Sequence, residues 1–141
     1  MPGIRHPLMI NGVPVVTAPA EIDVTTAEQL RTVLLHSATR GQATVVVDMM
    51  RTRFCDSAGL TVLVRAHRRA VADGGELRLV IAAGSAVARV FAITRLDLVI
   101  PLFGSLDEAL TPRPAVIRPL RPRSPAGRRL TRQSGLPRRR M

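Results

Sequence analysis

Val45-Val46-Val47-Asp48, then a short polar loop, then Phe54-Cys55-Asp56-Ser57-Ala58-Gly59-Leu60: the reading of this stretch decides how the chain folds. An uninterrupted β-branched run closed by an acidic residue predicts a buried parallel strand whose carboxyl end opens into a turn. Helical spacing resumes directly afterwards. Leu60, Leu63, Val64, His67 and Val71 fall at i, i+3, i+4, i+7 and i+11, which predicts a helix from about Ser57 to about Val71. The first turn of a helix leaves backbone N–H groups without partners and carries the positive end of the dipole. Asp56 or Ser57 is therefore expected to cap it, and an anion is locally favoured there.

Downstream, Gly74-Gly75 ends the helix and residues 77–82 supply a second buried strand. Two strands joined through a helix lie parallel, so residues 43–83 form one βαβ unit with the usual right-handed crossover. Ser85 is placed to cap a third helix that carries Val87, Val90, Phe91 and Thr94 on one face, and Leu98-Val99-Ile100 reads as a short last strand. Ser105 and Glu108 have capping-box spacing at a closing helix. Upstream, Leu8-Met9-Ile10 and residues 13–17 flank Asn11-Gly12, the dipeptide that tolerates the positive φ angles of a tight hairpin. Pro14 lacks an N–H and is expected at an edge or a strand start. Thr25 and Glu28 fit a capping box for a first helix with Leu30, Val33, Leu34 and Ser37 on one face, running to about Thr39 and ended by Gly41.

Length and composition fit one globular domain: 141 residues, 46% hydrophobic, with Phe54, Phe91 and Phe103 as the only aromatics. The core is then built from Val, Leu, Ile and Ala. The net charge of +11 is concentrated in one place. Ten of the 21 basic residues lie in 111–141, where there is no Asp or Glu, so the other 11 face all ten acidic residues and residues 1–110 are nearly neutral. Residues 112–141, with six Pro and ten Arg, cannot bury enough apolar surface to offset chain entropy and read as a disordered tail after a domain spanning 1–111. Nucleic-acid binding, if any, belongs to that tail.

Cys55 stands alone, which excludes an internal disulfide and suits a reducing compartment. The amino terminus lacks the apolar run of a signal peptide, and no stretch approaches the roughly 20 apolar residues of a membrane span, so the protein is expected to be cytoplasmic. One Cys and His6, His36 and His67 lack metal-ligand spacing, and neither a metal nor a cofactor is expected. An enzyme is not expected either. The serine context is Cys-Asp-Ser-Ala-Gly, and His67 lies about 15 Å from Ser57 along the same helix at about 1.5 Å per residue. Asp48 is read as a turn residue.

The same stretch resembles the STAS domains of bacterial anti-sigma factor antagonists: an apolar strand ending in Asp, a polar loop, an aromatic, and Asp-Ser-x-Gly-Leu. Glu21-Ile22-Asp23, Gly74-Gly75-Glu76-Leu77 and Leu106-Asp107-Glu108-Ala109-Leu110 are similar to further motifs of that family, so the likeness runs over about residues 8–110. It implies an α/β fold, with a mixed sheet of four to five strands and about four helices around a central βαβ unit. It also implies a non-enzymatic switch. The unmodified domain binds an anti-sigma factor that is a serine kinase, sigma factor is released, phosphorylation of Ser57 breaks the complex, and a metal-dependent phosphatase of the PP2C type resets it. Asp23, Asp56, Ser57, Ala58 and Gly59 are the partner-binding residues so implied. Gly59 has two explanations, close approach of a partner backbone or close packing of the helix. The alternative function is a STAS scaffold or small-ligand sensor that is never phosphorylated, with Ser57 as a cap alone. Arg95 stands where the family has Gly, and a left-handed conformation there costs about 1 kcal/mol relative to Gly.

Overall fold

Residues 7–38 and 44–112 are described by a computed structural model of the chain. The hairpin forms at the expected dipeptide. Strands β1 (Leu8–Ile10) and β2 (Val13–Thr17) pair antiparallel across Asn11 and Gly12, whose φ angles of 53° and 79° are those of a two-residue turn with both central residues left-handed. Pro14 is the second residue of β2, and pairing of β2 with the next strand begins only at Val15, so its missing N–H falls at the strand start.

Parallel pairing builds the rest of the main sheet. β4 (Val45–Asp48) lies between β2 and β6 (Leu77–Val80), and β7 (Leu102–Phe103) closes the far edge, giving the order β1-β2-β4-β6-β7. The crossover from β4 to β6 runs through α2 (Ser57–Ala72), so the expected βαβ unit is present. Strands β3 (Glu21–Ile22) and β5 (Phe54–Cys55) form a separate parallel pair. Helix α1 is Val24–Ala38, α3 is Ala86–Ile93 and α4 is Leu106–Leu110.

The sheet is covered on both faces, which is why its central strands are continuous apolar runs. Val45 and Val47 point into the larger core with Leu30, Leu34, Leu63 and Phe91, whereas Val46 and Val80 join Ala109 of α4 on the other side. Arg78 breaks the apolar run of β6 and is buried beneath α4. Its guanidinium donates to Glu76 Oε2 and to the Ala109 carbonyl, both at 2.7 Å, which neutralises the charge and satisfies the end of α4.

Two boundaries and one buried position differ from expectation. Leu98-Val99-Ile100 is not a strand: residues 96–98 form a 3₁₀ turn, and only Ile100 is buried, while Leu98 is 75% exposed. The strand starts after Pro101, whose carbonyl accepts from Leu79 N–H at 3.0 Å, because a proline cannot donate inside a ladder but can precede one. Helix α1 starts one residue earlier than its expected cap, and Thr25 is not that cap. Within α2, Val71 is exposed and Ala70 takes the inward position. The ends of α2 and α3 behave as read. Gly74 takes φ +90° and Gly75 N–H bonds the Ala70 carbonyl at 2.8 Å, and Arg95 adopts the left-handed conformation at φ 66°. Thr39, Gly41 and the tail from 113 to 141 lie outside the described residues.

Candidate functional site: two capped helix starts side by side

The short β3–β5 pair brings two helix N-termini together. Glu21 pairs with Phe54 and Ile22 with Cys55, and the Asp56 N–H donates to the Ile22 carbonyl at 3.0 Å. The residues that follow the paired strands are Asp23 and Asp56. The loop that leads into β5 is fastened to the same segment. Thr52 Oγ1 donates to the Pro19 carbonyl at 2.8 Å and Arg53 N–H to that of Ala20 at 2.7 Å. Asp48 is a turn residue, as expected, accepting from the Met50 N–H through Oδ1 at 3.0 Å.

Both helices are capped by aspartate. Asp23 Oδ1 accepts from Thr26 N–H at 3.0 Å, and Thr26 Oγ1 accepts in return from Asp23 N–H at 2.8 Å. This is a reciprocal capping box, shifted from the Thr25–Glu28 pair that the sequence suggested. Asp outranks Thr as a cap, and Glu28 pairs instead with Arg31. The bonds from Thr26 hold the Asp23 carboxyl below its usual pKa. At the second start Asp56 Oδ1 accepts from Gly59 N–H at 3.1 Å. Asp56 is thus the cap, and Ser57 is the first helical residue.

Ser57 is consequently not needed as a cap. It is exposed, and its side chain makes no hydrogen bond to another described residue. The first-turn amides of Ser57 and Ala58 have no intrahelical acceptor and point out of the same helix end. Ala58 is half-buried. Gly59 faces inward: a Cβ there would stand 2.6 Å from both Cys55 Sγ and Ile22 Cγ2. Of its two explanations, packing of the helix within the domain by itself requires a glycine at this position. Two exposed apolar side chains were not expected at the site, Phe54 at 50% and Val24 at 71% exposure. Strand alternation was the available signal for Phe54: with Cys55 facing in, its neighbour faces out.

Two further reactive side chains, Cys55 and His67, are buried. Burial, with Asp56 adding a smaller effect, pushes the Cys55 thiol up to about 12, so it is no nucleophile at neutral pH. His67 is buried on α2 with Nδ1 accepting from Leu77 N–H at 3.2 Å, and burial lowers its pKa against the opposing pull of Glu76. The imidazole is a structural acceptor. Among the described residues no cluster of His, Cys, Asp and Glu could hold a metal, and no helix is long and apolar enough to cross a membrane.

A family model for the STAS domain matches residues 8–109, and the chain belongs to that family. Its fold is similar to that of a putative anti-sigma factor antagonist from Thermotoga maritima, with a TM-score of 0.66 at 20% identity over 73% of this chain and 88% of the other. An anti-sigma factor antagonist from Mycobacterium paratuberculosis superposes with a TM-score of 0.65 at 27% identity, covering 76% and 87%. The Bacillus cell fate determinant SpoIIAA in its phosphorylated form gives 0.57 at 20% identity, covering 76% and 96%. No curated relative matches the chain.

Proposed function

We propose that the protein is an anti-sigma factor antagonist that docks on a serine-kinase anti-sigma factor through the paired helix starts and is released by phosphorylation of Ser57. The observation that carries this reading is the exposed Ser57 hydroxyl on the first turn of a helix whose cap is already supplied by Asp56. A kinase can take that hydroxyl without removing any bond that holds the helix. Asp23 and Asp56 supply acidity to the docking face, Ala58 a low surface, and Phe54 and Val24 apolar area beside them.

The electrostatics give the switch its direction. Phosphate adds roughly −1.5 to −2 charges next to Asp56 and, buried against a partner without a new cation, costs on the order of 3–4 kcal/mol. Affinity then falls about a hundred- to a thousandfold. In the free domain the first-turn amides and the dipole of α2 stabilise the same phosphate, so the fold survives. The protein is regulatory and not an enzyme, it acts in the cytoplasm, and a PP2C-type phosphatase resets it.

Incubation with a kinase-type anti-sigma factor and ATP, followed by mass spectrometry, tests the reading. One phosphate is expected, on Ser57, and none on a Ser57→Ala variant. If Ser57 stays unmodified while the complex still forms, the protein is the unphosphorylated scaffold instead.

A further inference from the structure

A groove of about 310 Å³ runs between α1 and α2, and neither Asp56 nor Ser57 lines it. Its floor is the buried core, with Leu34, Val45 and Leu77 beneath and the partly buried Val62 and Ala66 on the wall. Its rim is cationic. Arg31, Arg65 and Arg69 stand around it against the single acidic residue Asp73. Arg31 is engaged by Glu28, and Arg69 lies 3.8 Å from Asp73. Arg65, one turn before Arg69 on α2, has no ion-pair partner among the described residues.

An apolar floor under an uncommitted guanidinium selects an amphiphile with an anionic end. The volume sits at the lower limit of the roughly 300–1,000 Å³ typical of small-ligand sites, which suits one short chain. We propose that the groove binds a medium-chain fatty carboxylate, with its alkyl chain over Leu34, Val62 and Leu77 and its carboxylate on the fork of Arg65. A cationic group at this rim would meet the like charge of the three arginines. A cationic amphiphile is disfavoured for the same reason.

Calorimetric titration of the full chain with decanoate tests this. Saturable one-to-one binding is expected, weakened about tenfold or more in Arg65→Glu and abolished by Ala66→Phe, which fills the groove. Decyltrimethylammonium is expected not to bind. Arg65 is an exposed helix residue, so its variant remains decisive if Ala66→Phe fails to fold. Absence of saturable decanoate binding would overturn the proposal. So would equal affinity in wild type and Arg65→Glu, which places the anion on arginines elsewhere, or binding of the cationic probe as tight as that of decanoate.

Discussion

The starts of α1 and α2 lie next to each other and are capped by the same residue type, yet they are differently committed. At α1 the Asp23 carboxylate and the Thr26 hydroxyl each accept from the other residue's backbone N–H, and the first helical position is the apolar Val24. At α2 the carboxylate of Asp56 is engaged with Gly59 N–H, and the first helical position is Ser57 with its hydroxyl in solvent. One start is closed on itself and the other leaves a nucleophilic oxygen over. The proposed modification of Ser57 rests on what capping leaves unused, not on the presence of a serine.

The largest stability effect expected at this pair comes from Gly59, where the helices meet the β3–β5 layer. Gly59→Ala gains about 1 kcal/mol in helix propensity but drives a methyl to within 2.6 Å of Ile22 and Cys55. Overpacking costs roughly 1–3 kcal/mol, and with two contacts at 2.6 Å the upper end applies, so a net loss of about 2 kcal/mol should lower the urea midpoint. Next, Asp23→Ala removes a reciprocal pair and should cost about 1–2 kcal/mol, against about 1 kcal/mol for Asp56→Ala, measured by the same unfolding curves. Thr25→Ala and Ser57→Ala should both fall within about 0.5 kcal/mol of wild type. A Ser57→Ala cost equal to that of Asp56→Ala would mean that the serine does the capping.

His67 offers a pH test away from the helix starts. Its folded pKa lies below the ordinary value because burial disfavours the imidazolium. The unfolded chain therefore binds the proton first, and the stabilisation present above about pH 6.5 is lost as pH falls toward the folded value. Urea midpoints measured between pH 7.5 and pH 5.5 should decline in wild type. His67→Leu should be less stable at neutral pH, by about 1–3 kcal/mol for the orphaned Leu77 N–H, and should decline less steeply. The smallest signal is chemical: with its thiol pushed up to about 12, Cys55 should react with Ellman's reagent only as the protein unfolds.

Much of the architecture was legible because the relevant residues have few alternatives. Asn11-Gly12 admits both positive φ angles, the Val45–Val47 run fits a strand covered on two faces, and Gly74-Gly75 ends a helix. What failed were choices between competing local solutions. Asp23 and Thr25 could each cap α1, and only packing of β3 against β5 fixes Asp23 in place. Leu98-Val99-Ile100 has strand composition, but Arg95 leaves α3 in a tight turn that turns Leu98 and Val99 to solvent. Arg78 sits in an apolar run, and nothing in the sequence announces that Glu76 and the end of α4 converge on it. Motif order placed Asp56 and Ser57 at the start of α2. The inward face of Gly59 and the outward face of Phe54 needed the two-stranded pair.

The most direct measurement is the affinity of the protein for the kinase-type anti-sigma factor proposed as its partner, with and without a phosphate on Ser57, beside the urea midpoint of each form. A loss of about a hundredfold or more in affinity at an unchanged midpoint is predicted. Equal affinities, or a loss matched by unfolding of the phosphorylated form, would contradict a charge switch on a spare hydroxyl.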